Sequence, residues 1–158
     1  MLLWGNTFSQ DRSKQVVISS LSARAKEDSM YVKIIIKNNT DSVLSVYRPV
    51  LDNIDIHILM FSIYDSKEPG RNYFMETEYQ LDQKICTNKR FDILKPGEES
   101  VLNFSLYRKF FRCKLWNSRL KKLSVDIEVI KGEIICENCT RPLFYGALKA
   151  EADILYEN

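Results

Sequence analysis

The sequence predicts an all-β domain: an antiparallel sandwich of seven or eight strands with one short helical crossover. Apolar and polar residues alternate with a period of two along most of the chain, turn-forming residues separate these segments, and no long amphipathic helix is found. Each alternating strand contributes to a sheet with one apolar face, and two such faces must close on each other. A length of 158 residues corresponds to one domain.

The first half of the chain contains four predicted strands. Residues 15–25 are expected to form the first. In residues 30–38, Val32, Ile34 and Ile36 share one face, and the turn-forming sequence Asn-Asn-Thr-Asp ends the strand. Residues 43–47 form a short strand that ends before a proline. Residues 54–64 are apolar on both faces towards their end, which indicates a central strand.

The second half contains the remaining predicted strands. Residues 71–79 form a weaker and more polar strand, and residues 91–94 lead into a tight turn at Lys-Pro-Gly-Glu-Glu. Residues 100–107, 123–130 and 143–156 each alternate apolar and polar side chains, as half-buried strands do. The spacing of the strands favours a sandwich.

Three of these segments carry a resemblance to known proteins. An apolar strand running into Asn38-Asn39-Thr40, followed by Leu94-Lys95-Pro96-Gly97-Glu98 and the strand at 102–106, resembles small immunoglobulin-like sandwiches of exported bacterial proteins. The intracellular proteinase inhibitor family has a similar Pro-Gly-Glu turn before a strand. The resemblance covers about half of the chain and implies an immunoglobulin-like or fibronectin-like sandwich. It transfers no functional residue.

The first ten residues differ from the rest of the chain. They carry no charged side chain, begin with a short apolar cluster and place the small residues Thr7 and Ser9 two apart, as a signal peptidase requires. Residues 1–10 therefore resemble the remnant of a secretion signal, and residues 11–158 are predicted to form the single sandwich domain. We expect an exported protein, periplasmic or extracellular, with a cytoplasmic location as the alternative.

The chain contains four cysteines, and two of them form the sharpest local motif, Cys136-Glu137-Asn138-Cys139. Two thiols at this spacing can form a redox pair, half of a zinc site or part of a disulfide framework. A second Cys-x-x-Cys is absent, because Cys86 and Cys113 stand alone. We expect at least one disulfide that involves Cys136 or Cys139, as is usual in exported domains, with the pairing left open.

The segment from residue 107 to residue 122 concentrates positive charge. It contains seven basic and no acidic residues, which leaves 16 basic and 21 acidic residues elsewhere, a net charge of −5. Aromatic residues are interspersed among the cations. We expect the segment to leave the sheet as a turn or short helix that buries Phe111. Its residues Arg108, Arg112 and Trp116, together with Arg141 further along the chain, are the candidate partner-binding residues. The alternative to partner binding is a crossover between sheets whose aromatic rings cap the core and whose cations are solvated.

Composition excludes several classes of function. The total net charge of +2 is too small to mark a nucleic-acid binder, and no apolar run reaches the 18 residues of a membrane-spanning helix. The single histidine excludes catalysis that needs two imidazoles. No phosphate-binding loop or nucleophile elbow is found. We therefore predict a non-catalytic exported interaction domain with a protein partner, no cofactor and no metal. The alternatives are a thiol or zinc protein centred on Cys136 and Cys139, and a protease-inhibitor-like module.

Overall fold

Nine β-strands make up most of the regular structure of the computed structural model, which describes residues 15–51, 58–68, 72–75, 90–111, 122–132, 134 and 139–157. A 3-10 turn follows the seventh strand at Arg108–Phe111. The all-β prediction is confirmed, whereas the predicted count of seven or eight strands was too low. The strands are β1 Val16–Lys26, β2 Ser29–Asn38, β3 Leu44–Tyr47, β4 Leu59–Tyr64, β5 Asn72–Phe74, β6 Phe91–Leu94, β7 Glu99–Tyr107, β8 Lys122–Val129 and β9 Gly146–Tyr156.

Seven of the strands form one sheet in the order β5-β4-β8-β9-β1-β2-β7, and β3 pairs with β6 in a separate two-stranded sheet. Strand β9 joins the two halves of the large sheet. Its residues 146–153 pair antiparallel with β8, and its last three residues, 154–156, pair in parallel with β1. The sheet is therefore mixed, and the prediction of a purely antiparallel sandwich was wrong. Alternation reports which face of a strand is buried, and it carries no information on the direction of the neighbouring strand.

The large sheet curls so that strands from its two ends meet. The rings of Phe61 in β4 and Phe104 in β7 lie 5.4 Å apart, nearly edge to face, although four strands separate β4 from β7 in the sheet order. Both side chains are buried, and the core between the two halves contains residues of nearly every strand. Curling thus lets a single sheet enclose its own apolar face.

The alternation predicted from the sequence is confirmed in β2, β7 and β8. In β8, Leu123, Val125, Ile127 and Val129 are all buried. In β7, buried and exposed residues alternate over all nine positions. The core residues of β2 are equally regular. These strands consequently place every second side chain in the core and leave the other set on the outer face of the sheet.

Candidate protein-binding surface

Strand β7 lies at one edge of the seven-stranded sheet and has a strand partner, β2, on one side. The hydrogen bonds at its two ends fix which residues bond to β2. The amide of Asn38 donates to the carbonyl of Glu98 at 3.0 Å, and the amide of Arg108 donates to the carbonyl of Asp28 at 2.9 Å. Because the register is continuous between these pairs, the even-numbered residues of β7 bond to β2.

The odd-numbered residues of β7 therefore direct their backbone N–H and C=O groups away from β2. These residues are Glu99, Val101, Asn103, Ser105 and Tyr107. Within the described ranges, no strand pairs with this side of β7. Such a row of outward donors and acceptors is a template for pairing with a strand of another chain.

The composition of β7 does not protect this edge. Residues 100–107 contain neither a charged residue nor a proline, although proteins commonly use both to block an exposed edge. At the opposite edge of the sheet, β5 is only three residues long, and a short strand is another common protection. Strand β7, by contrast, is nine residues long, and all of its residues after Glu99 are uncharged.

Apolar side chains flank the edge. Val101 and Tyr107 are 42% and 46% exposed. A groove of about 270 Å³ lies between residues 102–105 of β7 and residues 48–51, which follow β3. Val50 and Leu51 on its far side are also exposed. A strand added to β7 would therefore cover apolar surface as well as backbone groups.

The basic turn Arg108–Phe111 extends the surface beyond the end of β7. Phe111 is buried, as predicted, and anchors the turn to the core. The ring of Phe110 packs edge-on against Tyr107 at 5.8 Å, and the ammonium group of Lys109 lies 5.3 Å from the centre of the Phe110 ring. The guanidinium of Arg108 lies 3.4 Å from the carboxylate of Asp28. The core thus holds the turn, and its cations face outward.

The structure separates the predicted partner-binding residues. Arg108 lies at the end of β7, whereas Arg141 is exposed beside β3, where its backbone carbonyl is 3.5 Å from the hydroxyl of Ser45. Arg112 and Trp116 lie outside the described residues. Sequence reasoning missed the edge of β7 itself. The available signal was an uncharged run of eight residues between Glu99 and Arg108.

Of the cysteines, Cys139 lies within the described residues, where it is disulfide-bonded. Its partner is one of Cys86, Cys113 and Cys136, all of which lie outside the described residues, so the pairing stays a prediction. A cysteine in a disulfide has no thiolate to offer to zinc. The described residues also contain no group of three or more His, Cys, Asp or Glu side chains that could hold a metal ion.

The groups with shifted pKa values lie on the outer face of β4, β8 and β9. Hydrogen bonds to Asp153 and Asp126 raise the pKa of Lys122 and of Lys149, respectively. Burial, aided by a hydrogen bond with Glu151, raises the pKa of Tyr64. The two lysine–aspartate pairs lie directly opposite each other on the neighbouring strands β8 and β9, as cross-strand ion pairs that stabilise a sheet do.

Comparisons with known proteins assign no family to the chain. No family model matches it, and no curated protein matches it. Among solved structures, it is similar to β-glucosidase from Listeria innocua in complex with glucose (14% identity, TM-score 0.33) and in complex with isofagomine (15% identity, TM-score 0.35). Each match covers 89% of this chain and 16% of the glucosidase chain. A similarity at this level carries no argument about fold or function.

The described residues include no helix with the length and hydrophobicity that crossing a membrane requires.

Proposed function

We propose that this chain is a non-catalytic protein-binding domain and that the outward edge of β7 is its main contact surface. One observation carries the proposal: the outward backbone groups of the nine-residue strand β7 pair with no described strand, and residues 100–107 of this edge are uncharged. Main-chain hydrogen bonds along such an edge give affinity, and the neighbouring side chains give specificity. The basic turn Arg108–Phe111 supplies cations and aromatic rings next to the edge.

The architecture supports this role. The curled sheet is a rigid scaffold, because its core contains residues from both ends of the sheet, such as Phe61 and Phe104. A rigid edge strand loses little conformational entropy when a partner binds. We propose that the two halves of the sheet form an immunoglobulin-like or fibronectin-like sandwich.

We further propose that the domain is exported. The disulfide at Cys139 supports an oxidising compartment, since such bonds are rare in the reducing cytosol. The resemblance of residues 1–10 to the end of a secretion signal favours the same compartment.

Site-specific photo-cross-linking in the cells that produce the protein tests the proposed surface. A photoreactive amino acid replaces Asn103 at the centre of the β7 edge. In the control variant it replaces Met60, which is also exposed but lies on β4, between β5 and β8. We expect a protein adduct of discrete mass at residue 103 and none at residue 60. The absence of any adduct at residue 103 would contradict the proposal.

A further inference from the structure

We infer that the partner of the β7 edge is a second copy of this chain, paired with it strand to strand. In this dimer, the two β7 strands run antiparallel about a two-fold axis at Asn103. The inference rests on the proposed function, because it names the partner of the surface proposed there.

The outward direction of the backbone groups of alternate residues permits this register. In β7 the odd-numbered residues direct both backbone groups outward. An antiparallel pair centred on Asn103 places Asn103 opposite Asn103, Val101 opposite Ser105 and Glu99 opposite Tyr107. Each of these positions is odd-numbered in both copies, so each pair can exchange both of its hydrogen bonds. This register also uses all nine residues of the strand.

The charges at the two ends of β7 favour antiparallel self-pairing. Glu98 and Glu99 lie at the beginning of the strand, and Arg108 and Lys109 follow its end. Within the chain, Glu98 pairs with Lys95 at 3.8 Å and Arg108 pairs with Asp28 at 3.4 Å, so the complementarity between copies rests chiefly on Glu99 and Lys109. Antiparallel pairing about Asn103 brings the acidic end of one copy to the basic end of the other, and the two-fold axis repeats this contact. Parallel pairing would instead bring like charges together, which is unfavourable. The surface is thus complementary to itself.

The middle of β7 contains no charge that would oppose pairing with a second strand. Residues 100–107 are uncharged, so the approach of a second strand buries no unpaired charge. In the dimer, side chains of the second β7 strand cover the partly exposed Val101 and Tyr107 on the outer face of the sheet, because diagonal neighbours on paired strands lie within contact distance. Pairing therefore converts an unprotected edge into the centre of a continuous sheet.

The oligomeric state of purified protein, measured by sedimentation equilibrium, tests the inference. We expect the wild type to form a dimer that dissociates on dilution. Asn103→Pro removes the outward donor at the axis without removing a hydrogen bond to β2, and a proline is tolerated at such an edge position. We expect this variant to be monomeric. The control Asn103→Ala keeps the backbone donor and should dimerise like the wild type.

Charge exchange tests the register without changing the backbone. Glu99→Lys places a like charge near Lys109 of the other copy at two symmetric positions, and we expect it to weaken dimerisation roughly tenfold. Lys109→Glu should weaken it similarly, and the double variant Glu99→Lys with Lys109→Glu should restore it. These variants keep the inference testable even where Asn103→Pro does not fold.

Two outcomes overturn the inference. One is a wild type that stays monomeric up to roughly millimolar concentration. The other is a dimer that neither Asn103→Pro nor the single charge changes weaken. The proposed function has a separate outcome: an adduct at residue 103 with a different protein would support a contact surface while overturning self-pairing, whereas no adduct would contradict both.

Discussion

The side-chain amide of Asn38 in β2 donates a hydrogen bond to the backbone carbonyl of Leu94 in β6 at 2.9 Å, and this bond joins the seven-stranded sheet to the two-stranded sheet. The same amide donates to the carbonyl of Ser42 at 2.8 Å, and the side-chain oxygen accepts from the amide of Thr40. The backbone carbonyl of Asn38 accepts from Gly97, whose positive φ of 83° suits glycine. The buried Asn38 thus fixes the turn that begins β7.

Removal of the Asn38 amide should destabilise the protein. Asn38→Ala leaves the buried carbonyl of Leu94 without its donor, at a cost of about 1–3 kcal/mol, and also removes the part-buried bonds to Ser42 and Thr40. We expect the free energy of unfolding to fall by more than about 2 kcal/mol in urea titrations. The control Asn39→Ala, which truncates the neighbouring half-buried side chain, should lower the free energy of unfolding by less than about 1 kcal/mol. Equal losses for both variants would show that Asn38 has no special role.

Truncation of Phe111 should release the basic turn from the core. The side chain is 2% exposed, and deletion of a buried phenylalanine costs about 3–5 kcal/mol. We expect Phe111→Ala to lower the free energy of unfolding by this amount. Lys109→Ala, two residues earlier and exposed, should change it by less than about 0.5 kcal/mol. A loss below about 1 kcal/mol for Phe111→Ala would mean that the turn is not anchored.

The contact between Phe61 and Phe104 should be measurable as an interaction energy. Their rings meet at 5.4 Å across the curled sheet, and such aromatic pairs contribute about 0.5–1.5 kcal/mol beyond the burial of their area. A double-mutant cycle of Phe61→Leu and Phe104→Leu should therefore show a coupling in this range. Strictly additive losses would contradict the curled arrangement of the sheet.

Stability should fall at alkaline pH. The pKa of Lys122 and the pKa of Lys149 are raised above 10.5 by their carboxylate partners, and the pKa of Tyr64 is raised above 10.0, chiefly by burial. Groups whose pKa is raised on folding stabilise the protein below the unfolded pKa and lose this contribution as the pH rises through the folded pKa. We expect Tm to be steady below about pH 9.5 and to decline above it.

The control for this pH dependence is the double variant Lys122→Met with Lys149→Met. It lacks both ammonium groups, which lie 2.8 Å from Asp153 and 2.6 Å from Asp126. Its Tm should decline less steeply than that of the wild type above about pH 10. Identical slopes would show that the two ion pairs do not contribute.

Alternation in the sequence was sufficient to predict the strands but not their arrangement. Buried and exposed positions in β7 and β8 follow directly from the period of two, because burial is a local property of a pleated strand. The parallel pairing of β9 with β1 depends on contacts between residues more than a hundred positions apart, such as Ala23 and Ile154, which no local pattern records. The position of β7 at an edge of the described sheet is likewise a consequence of strand order, which no local pattern records. In the sequence, charge and aromatic content pointed to the neighbouring turn instead.

Residue-resolved hydrogen exchange along β7 tests the central claim, that this edge is a contact surface, most directly. In dilute protein, the outward amides of Val101, Asn103 and Ser105 should exchange rapidly, whereas those of Leu102 and Phe104, bonded to β2, should exchange slowly. When the protein is concentrated enough to pair or is bound to its partner, the outward amides should become protected and the inward ones should not change. Outward amides that are already protected in dilute protein, or that stay unprotected in every complex, would contradict the account.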